Sequence, residues 1–199
     1  MTTKQNILNT LRQNTRETYD MPDFTELSPI IYPDPIAEFK NKAQSVAGAK
    51  LIEVATGFDI NEVVRSAYPD AQVIAGHIPG LQADLDPDTV AHAQELAKAD
   101  VGVIAGDIGV AENACIWIPQ TMKERAICFA SQQLVILLRA NSIVNNMHEA
   151  YQRISQHTEY FSQYKFGTFI SGPSKTADIE GALVYGAQAA RAVTIVLIS

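Results

Sequence analysis

Beyond residue 50 the chain alternates short apolar runs with amphipathic ones. The apolar runs are LIEVA (51–55), AQVIAG (71–76), VGVIAG (101–106), ACIWIP (114–119), LVILLR (134–139), FGTFIS (166–171) and VTIVLI (193–198). Helical spacing falls near 59–67, 87–98, 143–156 and 177–189. Near-continuous apolar strands separated by helices predict an α/β domain whose mostly parallel sheet is covered by helices on both faces. The link between the third and fourth runs is too short for a helix, so that pair is expected to be antiparallel or kinked.

The first 35 residues follow a different pattern. Residues 4–18 suit an amphipathic helix with Ile7, Leu8 and Leu11 on one stripe. Pro22, Pro29, Pro33 and Pro35 then break regular structure and predict an extended connector. Residues 1–35 therefore read as a helix plus a proline-rich arm, and 36–199 as the α/β domain. The arm is expected to pack onto the domain or onto a neighbouring subunit, as in a homodimer. A helix over Ile36–Ala47, closed by Gly48, opens the domain.

Composition narrows the partners. A net charge of −7 argues against nucleic acid and anionic membrane surfaces. No apolar stretch approaches the ~18 residues of a membrane span, and the N-terminus lacks the apolar core of a signal peptide. The expected compartment is the cytoplasm. Cys115 and Cys128 sit in apolar surroundings, suited to buried thiols. Two cysteines without a Cys-x-x-Cys cannot ligate a four-cysteine iron–sulfur cluster or zinc ribbon.

Phe166–Ser199 reads as strand, glycine–proline loop, helix and strand. Ser171, Gly172, Ser174, Lys175 and Thr176 precede the expected helix, with Asp178 and Glu180 in its first turns. Two readings stand side by side. Backbone N–H groups at the helix start, with Lys175 and the hydroxyls, would hold a small anion. Equally, a Ser/Thr cluster caps a helix and first-turn acids complement its dipole. The spacing is not that of a P-loop, because Ser174 occupies the place of the second glycine.

Ligands of such sheets sit outside the strands' carboxyl ends. Four loops qualify: Thr56–Asp59, Gly76–Gly80, Gly106–Asn113 and Ser171–Thr176. Glu112, flanked by small and apolar residues, is the acid/base or nucleophile candidate if partly desolvated; a surface glutamate at a strand start is the alternative. Asp107 fits a ligand contact or an Asx-type turn around Gly106 and Gly109. His77, between glycine and proline neighbours, is a weaker candidate for proton transfer or ligand contact. His92, His148 and His157 have no histidine partner four residues on, so no metal site is assigned. Trp117 and the Tyr151, Tyr160, Phe161, Tyr164 series suit packing. No Gly-x-Gly-x-x-Gly or Gly-x-Ser-x-Gly occurs, and no cofactor is assigned.

FISGPSKTADIEGALVYGAQAARAVTIVLI resembles the C-terminal signature of the LutC/YkgG lactate-utilisation family, the LUD domain. ADVGVIAGDIGVAENACIWIP resembles that family's strand–loop–strand segment, with Glu112 at the glutamate of its Ala-Glu-Thr-Gly-Thr pattern and Asn113-Ala114-Cys115 replacing Thr-Gly-Thr. The resemblance spans roughly 35–199. It implies a Rossmann-like fold akin to the NagB/RpiA/CoA-transferase group. It also implies a non-iron–sulfur subunit of an L-lactate-oxidising complex, acting beside iron–sulfur-binding and cysteine-rich subunits. The alternative is a stand-alone enzyme or binding protein for a phosphorylated, CoA-like or folate-like metabolite.

Overall fold

The computed structural model describes residues 2–15, 17, 19–20, 28–156, 166–178 and 181–199. His157, Tyr160, Phe161, Tyr164 and Glu180 lie outside them. The seven apolar runs all become strands. Five form a wholly parallel sheet: β1 (Lys50–Val54), β2 (Ile74–Gly76), β3 (Val101–Ala105), β6 (Gln133–Arg139) and β11 (Ala192–Ile198), in the order β1-β11-β6-β3-β2.

Alternation along the three central strands explains why these runs are apolar throughout. Ile104, Leu134, Ile136, Leu138, Ile195 and Leu197 face the cluster containing Phe39 of α2 (Pro35–Lys42), Leu96, and Ile127 of α4 (Ile127–Ala130). Val101, Val103, Val135 and Val196 face Ile60 and Val64 of α3 (Ile60–Ala67). Both faces are buried by helices, as a parallel sheet requires.

A second sheet in the order β7-β4-β5-β8 holds β4 (Ile108–Val110), β5 (Ile116–Pro119), β7 (Ile143–Val144) and β8 (Gly167–Ile170). The tight link after β3 is resolved by β4, a strand not foreseen, which pairs antiparallel with β5. Ile116 and Ile118 join the main core, while Ile108, Val110, Trp117 and Val144 pack with Ala150 and Ile154 of α5 (Met147–Gln156). Trp117 is core, as expected. Gly167 is required beside it, since a Cβ there would lie 2.8 Å from Trp117 Cε2.

Three helical expectations need correction. The described residues of 177–189 do not form a helix; β9 (Lys175–Thr176) pairs antiparallel with β10 (Val184–Tyr185). Gly181 and Gly186, with φ of 69° and 80°, interrupt the segment, and each glycine inside a helix costs about 1 kcal/mol. The 87–98 stretch is turns and a 3₁₀ helix, Ala93–Lys98, whose start is tied by Glu95 accepting from Ala91 and His92 backbone N–H. The 143–156 stretch begins as β7 and becomes α5 only after Asn145-Asn146. There Asn146 Oδ1 accepts the Glu149 N–H at 3.0 Å and Glu149 Oε2 accepts the Asn145 N–H at 2.8 Å.

The N-terminal helix α1 (Thr3–Asn14) forms with a Thr2/Gln5 capping box but buries none of its residues; Ile7, Leu8 and Leu11 are 56%, 39% and 59% exposed. The arm docks further along. Asn145 Oδ1 accepts the Tyr32 N–H and Asn146 Nδ2 donates to Ile30 O. After α2, a π-helical turn (Ala43–Ala47) ends at Gly48 with φ 75°, the left-handed closure expected there.

Candidate functional site

β8 belongs to the second sheet, antiparallel to β5, and this relocates the Ser171–Thr176 loop. The loop lies by the amino ends of the central strands. The Ser174 N–H donates to Ala190 O, just before β11, and the Ser174 carbonyl accepts from Gly186. Ser171 Oγ donates to Asn113 O at 2.9 Å, and Lys175 Nζ donates to Val46 O at 3.1 Å. Gly172 takes φ 68° with its Cα against the Ala47 backbone. Five hydrogen-bonding or packing ties therefore seat a loop that has no helix behind it among the described residues.

This loop walls an open cavity of about 380 Å³. Gly172, Pro173, Ser174 and Lys175 line it together with Phe169, Leu134, Cys128 and Val193. An apolar wall with a few convergent polar groups is the usual make-up of a small-molecule site. Among the described residues no helix start follows the loop, so the groups it could offer an anion are the Lys175 ammonium and the hydroxyls. Thr176 is engaged in the β9–β10 pairing opposite Val184.

Glu112 occupies the β4–β5 turn and is exposed, so the desolvated carboxylate expected there is not found. Its Oε2 accepts the Met147 N–H at 2.9 Å, placing negative charge on the first turn of α5. Its backbone N–H donates to Asn145 O, and its carbonyl accepts Lys42 Nζ at 2.9 Å. Two residues on, Ala114 is buried with φ 56°, at the position where the resembling pattern carries glycine. Lys42 and Val46 are one turn apart, so the helix starting at Pro35 holds both the Glu112 turn and Lys175.

The four loops do not all converge. Thr56–Asp59 and Gly76–Gly80 follow β1 and β2, at the opposite end of the central strands from Ala190 and Val193, whereas Gly106–Asn113 runs through β4 and brings Asn113 back to Ser171. Asp59 caps α3, accepting from Asn61 N–H at 2.8 Å, which holds its carboxyl below the usual range. Asp107 leads into β4, its N–H donating to Trp117 O. His77 is exposed, with Nδ1 3.1 Å from the Asp86 carboxylate and Nε2 4.0 Å from Asp88 Oδ2. The Asp86 hydrogen bond, with added charge from Asp86 and Asp88, raises the His77 pKa.

Several participants escaped the sequence reading. Lys42, Asn145 and Asn146 tie the arm, α5 and the Glu112 turn together; the Asn-Asn pair before a helical stripe was the available signal. Asp86 and Asp88 were signalled by the acid-rich run Asp84-Leu85-Asp86-Pro87-Asp88 shortly after His77. Cys115 and Cys128 are buried, which pushes both thiols up to about 12, and Cys115 Sγ lies 3.5 Å from Met147 Sδ.

A parallel sheet covered by helices on both faces, with a cavity at the amino ends of its central strands, defines a Rossmann-like α/β protein. The model of the LUD domain matches residues 80–198, and the chain belongs to that family. Lactate utilization protein C of Shouchella clausii is 30% identical over 100 residues, which cover 50% of this chain and 44% of that protein. The chain thus aligns with less than half the length of that relative. The crystal structure of a DUF162 family protein from Deinococcus radiodurans matches 86% of this chain and 100% of its own, with a TM-score of 0.64 and 14% identity. That likeness shows the shared fold. Among the described residues no helix is long and apolar enough to cross a membrane.

Proposed function

We propose that this chain serves lactate utilisation as the non-iron–sulfur subunit of an L-lactate-oxidising complex, and that it binds a small anionic metabolite in the cavity beside Ser171–Thr176. The observation that carries the reading is the LUD family match across 80–198, which contains the whole of that loop. The cavity supports it with Lys175 and Ser174 set among Phe169, Pro173 and Val193. The two thiols support the division of labour: iron–sulfur ligation needs thiolates, and both are buried and held protonated. On this reading the exposed stripe of α1 is the contact for a partner subunit or a second copy.

Two measurements test the proposal. Affinity capture of the tagged chain from native extract should bring down iron–sulfur-containing subunits; their absence under several salt conditions overturns the complex. A thermal-shift panel of lactate, pyruvate, phosphate, CoA and folate should raise Tm for a carboxylate ligand in the native chain and not in Lys175→Ala. At 100 times Kd the gain is about 2.7 kcal/mol. A shift with CoA or folate alone favours the stand-alone metabolite binder.

A further inference from the structure

No two histidines stand at metal-ligand spacing along the sequence, and the fold brings together a different ligand set. We propose that His77, Asp86 and Asp88 form a binding site for one divalent transition-metal cation, zinc or manganese, at the carboxyl end of β2. One ligand atom from each residue lies within 4.8 Å of the others.

The chain builds the site through backbone pairing. Leu85 bridges to Ala75 of β2 and its carbonyl accepts the Gly76 N–H, which sets Asp86 beside His77, the residue that follows the strand. Asp86 Oδ1 then accepts the Asp88 N–H at 2.8 Å, turning the chain so that the second carboxylate faces the same ring. The Lys123 N–H donates to Asp88 Oδ1 at 2.7 Å and fixes that side chain from a separate loop. Asp86 Oδ2 lies 3.1 Å from Nδ1 and Asp88 Oδ2 4.0 Å from Nε2, so an ion held on one ring nitrogen draws the other carboxylate toward that nitrogen.

Geometry and charge both suit a cation. Two ligands on one ion at about 2.1 Å stand roughly 3.0–3.4 Å apart at octahedral to tetrahedral angles. The His77 Nδ1–Asp86 separation of 3.1 Å already falls there, and one ligand atom from each of the three residues lies within 4.8 Å of the others, so the ion draws exposed side chains together. Two carboxylates face a single imidazole, so the triad is net negative whichever form the ring takes. A mixed nitrogen and oxygen set favours zinc or manganese over calcium and magnesium, which prefer oxygen alone. Beside the triad a pocket of about 340 Å³, lined by His77, Ile78, Pro79, Leu81 and Asp86, leaves room for waters or a substrate oxygen on the remaining positions. None of its lining residues belongs to the Ser171–Thr176 cavity, so this site stands independently of the proposed lactate role.

Isothermal titration of the full metal-stripped chain with zinc chloride and with manganese chloride tests it, with magnesium chloride as the oxygen-preferring comparison. The expected result is one ion per chain for zinc or manganese. Affinity should fall at least tenfold in His77→Gln and in Asp88→Asn, and should be unchanged in His148→Gln, an exposed histidine elsewhere. Circular dichroism confirms that each variant folds. Absence of saturable binding, equal binding in His77→Gln, or magnesium binding as tightly as zinc and manganese would overturn the assignment and leave a His–Asp hydrogen-bonded pair only.

Discussion

Gly172 is the point at which the cavity loop rests on the rest of the protein, and its replacement by alanine measures how much that seat matters. The position has φ 68°, where a non-glycine residue costs about 1–2 kcal/mol. A Cβ would also overlap Ala47 O and stand 2.9 Å from Ala47 C, against 3.4–4 Å for ordinary contact. The obstacle is backbone, so no rotamer change relieves it, and forced shifts of this kind cost about 1–3 kcal/mol. Alanine recovers about 0.4–1 kcal/mol by restricting the unfolded chain. The net expectation is about 3 kcal/mol of destabilisation, or roughly 6–12 °C in Tm for a chain of this size.

Gly57→Ala is the matched control, because Gly57 has φ 91° and nothing within 4 Å of the built Cβ. It carries backbone strain without the collision. Thermal melts and urea titrations of the two variants should differ by the collision alone. If Gly172→Ala melts within about 2 °C of Gly57→Ala, the loop is not seated on Ala47 and the cavity wall must be redrawn.

Three further outcomes follow from the geometry. Glu112→Ala should cost about 1 kcal/mol by uncapping α5, while Glu112→Gln, which keeps an acceptor for the Met147 N–H, should cost less than half of that in urea denaturation; equal losses would refute the capping role. Native protein at pH 8 should show no thiol reactive toward Ellman's reagent and two after unfolding, since burial pushes Cys115 and Cys128 up to about 12. Asp100 accepts the Val73 and Gln72 N–H groups, which lower its pKa, so its contribution is complete above the unfolded value near 3.9 and is lost as pH falls through the folded value. Asp100→Asn should therefore have a flatter acid limb in urea midpoints between pH 5 and pH 2, and parallel limbs would count against this reading.

Much of the architecture was legible because burial writes itself into strands. β3, β6 and β11 are covered on both faces, so their runs are apolar end to end and cannot be mistaken. β4, β7, β9 and β10 were not legible, being two or three residues long and specified by partners distant in the chain. The 177–189 segment misled because Ala177, Ala182, Ala187, Ala189 and Ala190 suggest a helix, whereas Gly181 and Gly186 at positive φ decide for a hairpin. Glu112 was singled out as an acid/base or nucleophile and Lys175 as a ligand contact; the helix start that Glu112 meets and the Val46 carbonyl that Lys175 meets were not readable. A carboxylate near apolar neighbours in sequence can still point at a helix start in space. The His77 triad was hidden for the same reason: its geometry depends on the Leu85–Ala75 bridge, which no local pattern encodes.

The departure of β8 from the central sheet has a consequence that can be measured. Had β8 joined the parallel strands, its following loop would have met His77 at their carboxyl ends. Instead, the Lys175 cavity and the His77 triad occupy opposite ends of the central sheet and share no lining residue. Their perturbations should then be independent. In thermal-shift titrations, Lys175→Ala should abolish the response to the carboxylate ligand while leaving the zinc or manganese response intact, and His77→Gln should do the reverse. The double variant should equal the sum of the singles within about 0.5 kcal/mol, as for sites without shared contacts. A larger coupling would mean that metal and anion meet in one site, and the strand arrangement that separates them would be wrong.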